Sequence, residues 1–190
     1  MFALKKKYYL IIESIKDINL KNIKKRDKFV IIYRNQKTLE KKEDILKFRK
    51  FCKSKSIDFY VANNFNLATS LKSDGLYLSA FNKSYKAKFI KKANFKLIGS
   101  AHNKREVFMK IKQGCELILF SKLFLVNYDK KSNFLGIIKF NNFLNFNKNL
   151  IPLGGIKLDN LSKLKNINCK EVALMSEIKK KPTKIFSRLF

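Results

Sequence analysis

Tryptophan is absent from this chain of 190 residues; proline occurs twice, glycine six times, cysteine three times and histidine once. Each shortage narrows what the chain can be. With so little glycine and proline there is no low-complexity linker at which to divide the sequence, and a hydrophobic content of 46% suffices for one core. Residues 1–190 therefore read as a single domain. Cys52, Cys115 and Cys169 form an odd set without metal-ligand spacing, which argues for reduced, buried thiols rather than disulfides or a zinc site. No apolar run reaches the ~18 residues that cross a bilayer. Met1 to Leu10 holds too short an apolar stretch for a signal peptide, so the expected location is cytoplasmic, with no membrane partner.

Acidic residues are scarce as well. Fourteen Asp and Glu stand against 43 Lys and Arg, giving a net charge of +29. Such a balance often marks a nucleic-acid binder. Here the lysines are scattered, at Lys5 to Lys7, Lys24, Lys25, Lys41, Lys42, Lys91, Lys92 and Lys179 to Lys181, with no arginine-rich stripe. Phe, Ile, Asn and Lys are abundant together, the joint bias of A/T-rich codons, which needs no ligand to explain it. The charge is read as a solvated basic surface, the alternative being casual polyanion affinity, with no specific nucleic-acid complex. It would also steer a diphosphate toward the protein.

What the chain does contain is a recurrence of short apolar runs. Strands are expected at Tyr8 to Ile12, Phe29 to Tyr33, Ile57 to Val61, Gly75 to Leu78, Phe95 to Ile98, Glu116 to Phe120, Ile151 to Leu153 and Glu171 to Leu174. Between them, helices are expected at Leu39 to Cys52, Asn64 to Leu71, Asn103 to Lys112 and Leu158 to Leu164. The third has the clearest ends, with Asn103 as N-cap, Glu106 three residues on, an apolar Val107, Phe108, Ile111 face and Gly114 beyond. Glu13 to Lys28 is the least helical connection, and Asn133 to Asn149 reads as a long loop before its helix. Lys179 to Phe190 reads as a final helix started by Pro182, the other reading being a basic tail. Strand and helix in alternation mean an α/β fold with a parallel sheet. Eight repeats point to a (β/α)8 TIM barrel, compact and without large insertions, and an open sheet with one fewer repeat is the alternative.

In such a barrel the chemistry sits at the C-terminal ends of the strands. Leu150-Ile-Pro-Leu-Gly-Gly-Ile156 and Lys170 to Glu177 each run from strand to turn to helix, and Gly154 and Gly155 let backbone N–H groups approach an anion. Side by side, two such ends would cradle a phosphate. After the second strand, Tyr33-Arg34-Asn35-Gln36-Lys37 is a basic turn in which Arg34 can grip a phosphate bidentately. The third strand ends at Ala62-Asn63-Asn64, the fourth runs to Asn82, the fifth ends in Gly99-Ser100-Ala101-His102 and the sixth in Ser121-Lys122-Leu123-Phe124.

From about Tyr8 to Ile178 the sequence resembles the thiamine phosphate synthase and TenI family. The resemblance is carried by the Arg34 turn, by Asn66-Leu67-Ala68, and by Asp74-Gly75-Leu76-Tyr77-Leu78 where the family has Asp-Gly-Val-His-Leu. Ile98 to His102, the Ser121 to Phe124 turn in place of Gly-Pro-x-Phe, and the loops Leu153 to Ile156 and Ala173 to Ser176 complete it. Their order and spacing together make it specific. It implies a thiamine-pathway barrel that joins hydroxymethylpyrimidine diphosphate to thiazole phosphate, releasing diphosphate through a dissociative, Mg2+-assisted step. The alternatives are a TenI-like thiazole tautomerase and a non-catalytic binder of thiamine-pathway phosphates. It further implies Gly154, Gly155, Met175 and Ser176 on the thiazole phosphate, with Lys130 nearby, and Ser100 and Arg34 toward the pyrimidine diphosphate. The oligomeric state stays open, a homo-oligomer included.

The departures from the family pattern fall on its metal site. Where the synthase has two aspartates, this chain has Asn63 and Asn82, and amides without charge weaken the expectation of Mg2+. Gln36 or a displaced Lys37 stands for the lysine of the strand-two turn; Val126 stands for a threonine, and Lys130 matches the lysine beyond only if the loop shifts. Lys122 occupies a proline position and is read as an exposed loop lysine, the alternative being a lysine that faces the diphosphate. His102, the one histidine, matches the acid/base group of the tautomerases, although many synthases carry it too.

Overall fold

The structure, a computed structural model, describes residues 7–23, 27–35, 40–89, 95–126, 133–176 and 178. Its strands are β1 (Lys7–Ile12), β2 (Phe29–Tyr33), β3 (Asp58–Ala62), β4 (Gly75–Leu78), β5 (Lys96–Ala101), β6 (Leu117–Phe120), β7 (Leu150–Pro152) and β8 (Glu171–Leu174). All pair in parallel in the order β7-β6-β5-β4-β3-β2-β1-β8. The outer strands β7 and β8 lie beside one another, so the sheet nearly closes into a barrel. The α-helices are α1 (Lys42–Ser54), α2 (Phe65–Ser70), α3 (Lys104–Lys112) and α4 (Gly136–Phe146).

The strands are nearly continuous apolar runs because both of their faces are buried. Alternate side chains separate into two layers. Tyr9, Ile11, Val30, Ile32, Tyr60, Tyr77, Ile98, Leu119, Ile151 and Ala173 fill the barrel. Tyr8, Leu10, Ile12, Phe29, Ile31, Tyr33, Phe59 and Val61 point outward to the helices. Each Val, Leu, Ile or Phe among them contributes about 1.5–3 kcal/mol on burial. Arg49 of α1, almost wholly buried, reaches Asp74 at 2.7 Å and the Lys72 carbonyl at 3.3 Å, while Asp74 accepts the Phe59 N–H at 2.7 Å. That clamp ties α1 to the β3 and β4 connection.

The eight expected strands are all present, three with their ends as read and the rest shifted by one to three residues. Four local expectations are corrected. The Glu13 to Lys28 connection forms two single 3-10 turns, Ile15–Asp17 and Leu20–Asn22, because Ser14 and Asn19 cap each turn and interrupt a longer helix. Leu158–Asn166 is 3-10 rather than α. In 133–149, expected as a long loop before its helix, the helix α4 already starts at Gly136 and takes up most of the segment. On α3, Val107 and Lys110 are the buried residues, while Phe108 and Ile111 are 50% and 44% exposed; Phe108 packs edge-on against Phe146 of α4. The C-terminal helix expected from Pro182, together with Leu39, Gln36, Lys37 and Lys130, lies outside the described residues. Among the described residues no helix is long and apolar enough to cross a membrane.

Candidate functional site

Two-residue alternation carries the inward face of each strand out to the barrel mouth. Ile32 is followed by Arg34, Tyr77 by Ser79, Ile98 by Ser100 and His102, Leu119 by Ser121, Ile151 by Leu153, and Ala173 by Met175. All of these mouth residues line one cavity of about 540 Å³, together with Phe81, Lys122, Gly154, Gly155, Lys157 and Ser176. Its charged lining is cationic, from Arg34, Lys122 and Lys157, with no carboxylate lining it among the described residues. An anionic ligand fits that balance.

Arg34 is set inward by its neighbours. Its guanidinium lies 3.7 Å from Glu13 and 3.5 Å from the Met175 sulfur, and its Nε is buried with no hydrogen-bond partner among the described residues. Beneath it, the Tyr77 hydroxyl lies beside Ser100 and Arg34; burial pushes the phenol's pKa up, and those two neighbours oppose the shift. Ser100 is buried at the cavity floor.

Opposite stands the glycine turn. Gly154 and Gly155 have φ of +94° and +68°, the left-handed region that favours glycine. A Cβ on Gly155 would lie 2.3 Å from the Phe124 carbonyl oxygen, so the chain also needs glycine there for space. The Phe124 N–H donates to the Gly154 carbonyl at 3.0 Å and the Leu123 N–H to the Leu153 carbonyl at 2.8 Å, stitching the β6 and β7 loops together. Asn160 holds the far side, its amide donating to the Gly155 carbonyl at 2.8 Å. Among the described residues neither glycine's N–H is taken by a backbone acceptor.

At the third edge, the Ser121 hydroxyl and His102 Nδ1 are 2.8 Å apart. The His102 N–H donates to Glu106, whose own N–H is capped by Asn103, so the start of α3 fixes the backbone of this turn. The pair can hold and move a proton at His102 Nε2, with Ser121 setting the ring's orientation.

Asn63 and Asn82 are also brought together, outside the cavity lining. Asn82 donates to Asn63 Oδ1 at 3.1 Å, and that same oxygen accepts the Ser79 N–H at 3.0 Å. Asn82 Oδ1 accepts the Ser84 N–H at 2.9 Å. Both amide oxygens are therefore engaged, neither residue carries charge, and no cluster of three or more His, Cys, Asp or Glu exists among the described residues. This donor set does not fit Mg2+, which is ordinarily held through one or two carboxylates.

Of the residues expected from sequence, Arg34, Ser100, His102, Gly154, Gly155, Met175 and Ser176 meet at the cavity; Asn63 and Asn82 form a pair beside it. The reading of Lys122 as an exposed loop lysine is corrected, since the β6 turn directs it to the cavity wall against Gly154. Tyr77, Ser121 and Lys157 are lining residues to which sequence reasoning assigns no role. Inward parity on β4 and β6 is the signal that finds Tyr77 and Ser121, whereas Lys157 has none beyond lying two residues after the glycine pair.

A family model described as thiamine monophosphate synthase matches residues 8–178. Thiamine-phosphate synthase of Prochlorococcus marinus (strain AS9601) is 30% identical over 141 residues, covering 72% of this chain and 39% of that protein. The one from Prochlorococcus marinus subsp. pastoris is 29% identical over 136 residues, covering 70% and 39%. The chain thus spans about two fifths of the length of these relatives. Among solved structures, thiamine phosphate pyrophosphorylase from Pyrococcus furiosus superposes with a TM-score of 0.71 at 18% identity, covering 98% of each chain. KGPDC from Streptococcus mutans gives 0.60 at 8% identity, covering 97% of this chain and 98% of that one. Both likenesses bear on the barrel fold alone.

Proposed function

Because the chain belongs to the thiamine monophosphate synthase family, we propose that it joins hydroxymethylpyrimidine diphosphate to thiazole phosphate with release of diphosphate. The observation that carries this reading is the glycine turn facing Arg34 across a cationic cavity, which suits one phosphate on each side. The thiazole phosphate is held by the N–H groups of Gly154 and Gly155, with Met175 and Ser176 completing the cradle. The pyrimidine diphosphate lies toward Arg34 and Ser100. The bond from the pyrimidine methylene carbon to the diphosphate oxygen breaks first, diphosphate leaving with the electron pair, and the lone pair of the thiazole nitrogen then forms a bond to the carbocation left behind. Arg34, Lys122 and Lys157 stabilise the negative charge that collects on the leaving oxygens. Arg34 Nε, buried without a partner among the described residues, has a donor to offer the diphosphate. No step is routed through a metal, since the asparagine pair does not suit one.

The hydrogen-bonded His102 and Ser121 favour a second reading, a TenI-like tautomerase in which His102 shuttles a proton on the thiazole phosphate. A coupling assay with both substrates decides between the two. The expected result is thiamine phosphate and diphosphate in equal amounts. Thiazole phosphate binding without product would overturn the transferase. His102→Ala should lower transferase turnover by no more than about tenfold, because the bond-forming step needs no general base. A loss of about a hundredfold or more in proton exchange on the thiazole would instead mark the tautomerase.

A further inference from the structure

Lys110 of α3 has no exposed side-chain surface, and it makes no ion pair with a carboxylate among the described residues. Its ammonium donates to the Ser79 carbonyl at 2.7 Å, the Asn82 carbonyl at 2.8 Å and Gln113 Oε1 at 2.9 Å. An ammonium has three donors, and here three oxygens receive them. Gln113, equally buried, adds its own amide to the Asn82 carbonyl at 3.0 Å and the Ser84 carbonyl at 2.9 Å. The lysine stem reaches these oxygens by crossing β5 at Gly99, where a Cβ would lie 2.8 Å from Lys110 Cδ and 2.9 Å from Cγ. Burial pushes the ammonium's pKa down, Cys115 and Glu106 oppose the shift, and the three oxygens satisfy its donors.

The two carbonyl acceptors belong to the loop after β4, and Gln113, at the end of α3, is bonded to the same loop. That loop supplies Ser79, Ala80 and Phe81 to the cavity wall, and its Asn82 bonds Asn63. If residues 79–84 drift outward, a buried N–H group of a cation is left unpaired, a cost larger than that of an ordinary lost hydrogen bond. The loop conformation is thus set from behind, by a group outside the cavity lining.

We infer that Lys110 is a positioning residue: with Gln113 it fixes residues 79–84 as the wall that receives the pyrimidine diphosphate, opposite the glycine cradle. The ligand in this statement rests on the transferase reading above; the loop's dependence on Lys110 does not.

The test uses the full chain with Lys110→Met, which keeps most of the stem and donates nothing, and with Gly99→Ala, which displaces the stem and keeps the charge. Calorimetric titration with each substrate separately gives the decisive comparison. Lys110→Met should weaken pyrimidine diphosphate binding by about ten- to a hundredfold. Thiazole phosphate affinity should stay within about twofold, and hydrogen exchange should quicken in residues 79–84. In turnover the change should emerge as a raised KM for the pyrimidine diphosphate, with the KM for thiazole phosphate unchanged. Gly99→Ala should show the same selectivity at smaller size, and it decides the matter if Lys110→Met does not fold. Equal weakening of both substrates, or unchanged exchange in the loop, would overturn the positioning role. Wild-type protein that binds no pyrimidine diphosphate overturns the transferase reading and the ligand assigned here, and loop exchange then judges Lys110 alone.

Discussion

Gly155→Val is expected to weaken thiazole phosphate binding by at least about a hundredfold and to destabilise the protein by about 2–5 kcal/mol. Two independent costs combine at this position. The backbone has φ of +68°, where a side chain costs about 1–2 kcal/mol. The new Cβ would also lie 2.3 Å from the Phe124 carbonyl oxygen, 2.5 Å from its carbon and 2.6 Å from the Leu125 oxygen. These are backbone atoms of the β6 loop, tied to the glycine turn by the Phe124 N–H and the Leu123 N–H, so they cannot rotate away as a side chain would. The turn must open, and overpacking of this kind costs about 1–3 kcal/mol more. Opening moves the N–H groups that would hold the phosphate, so affinity should fall by at least about a hundredfold, the value of two lost charge-assisted hydrogen bonds. Gly154→Ala is the graded control. Its φ of +94° carries strain, but its Cβ would meet Lys122 Cα at 3.2 Å, a contact that a small shift relieves. Thermal unfolding and calorimetric titration with thiazole phosphate check both. Gly155→Val protein that binds thiazole phosphate within about threefold of wild type would remove the glycine turn from the site.

The sequence shows most of the barrel because each strand is a short apolar run bounded by polar residues, and such runs keep their character whichever way they point. Helix and strand ends are less visible, since β5 continues through Gly99 and Ser100 to Ala101, residues that resemble a turn in isolation. The glycine turn is legible only together with the turn at Ala173 to Ser176, since a Gly-Gly after a strand is by itself an ordinary strand-to-helix turn. Lys110 is not legible. In sequence it is one of 43 basic residues, and α3 offers Val107, Phe108 and Ile111 as an obvious buried face. The fold buries Val107 with Lys110 instead, because the carbonyls of residues 79–84 need donors and Gly99 leaves room for the stem. Arg49 repeats the lesson on α1, where Asp74 and the Lys72 carbonyl draw it beneath the helix. Periodicity finds apolar faces; a buried cation is found only once its acceptors are placed in space. The same limit hides Lys122 and Lys157, whose direction depends on the turns that carry them.

Asn63→Asp combined with Asn82→Asp should convert a neutral, metal-indifferent pair into a Mg2+ site. In the wild type the Asn82 amide donates to Asn63 Oδ1 at 3.1 Å, so two aspartates would bring carboxylate oxygens into similar proximity. Two like charges at about 4 Å repel by ~4 kcal/mol at an effective dielectric constant near 20, so without metal the pair will share a proton. The folded protein then carries a carboxyl whose pKa is raised above its unfolded value. Its contribution to stability is present below the unfolded pKa and lost as pH rises through the folded one, so the metal-free double variant should weaken from about pH 4 toward neutrality. Mg2+ should reverse that loss. At a concentration a hundredfold above Kd the gain is about 2.7 kcal/mol, or roughly 5–10 °C in Tm for a chain of this size. The wild type, with both amide oxygens already engaged by Ser79 and Ser84 N–H groups, should show no comparable shift. If the chain is a transferase, the double variant should gain Mg2+-dependent turnover, whereas a tautomerase or a binder should gain metal affinity alone. Thermal scans at pH 5 and pH 8, with and without Mg2+, and the coupling assay read all of this out. Stoichiometric Mg2+ binding by the wild type at Asn63 and Asn82 without substrate would defeat the account, because it would mean that two neutral amides can compete with water for a strongly hydrated ion.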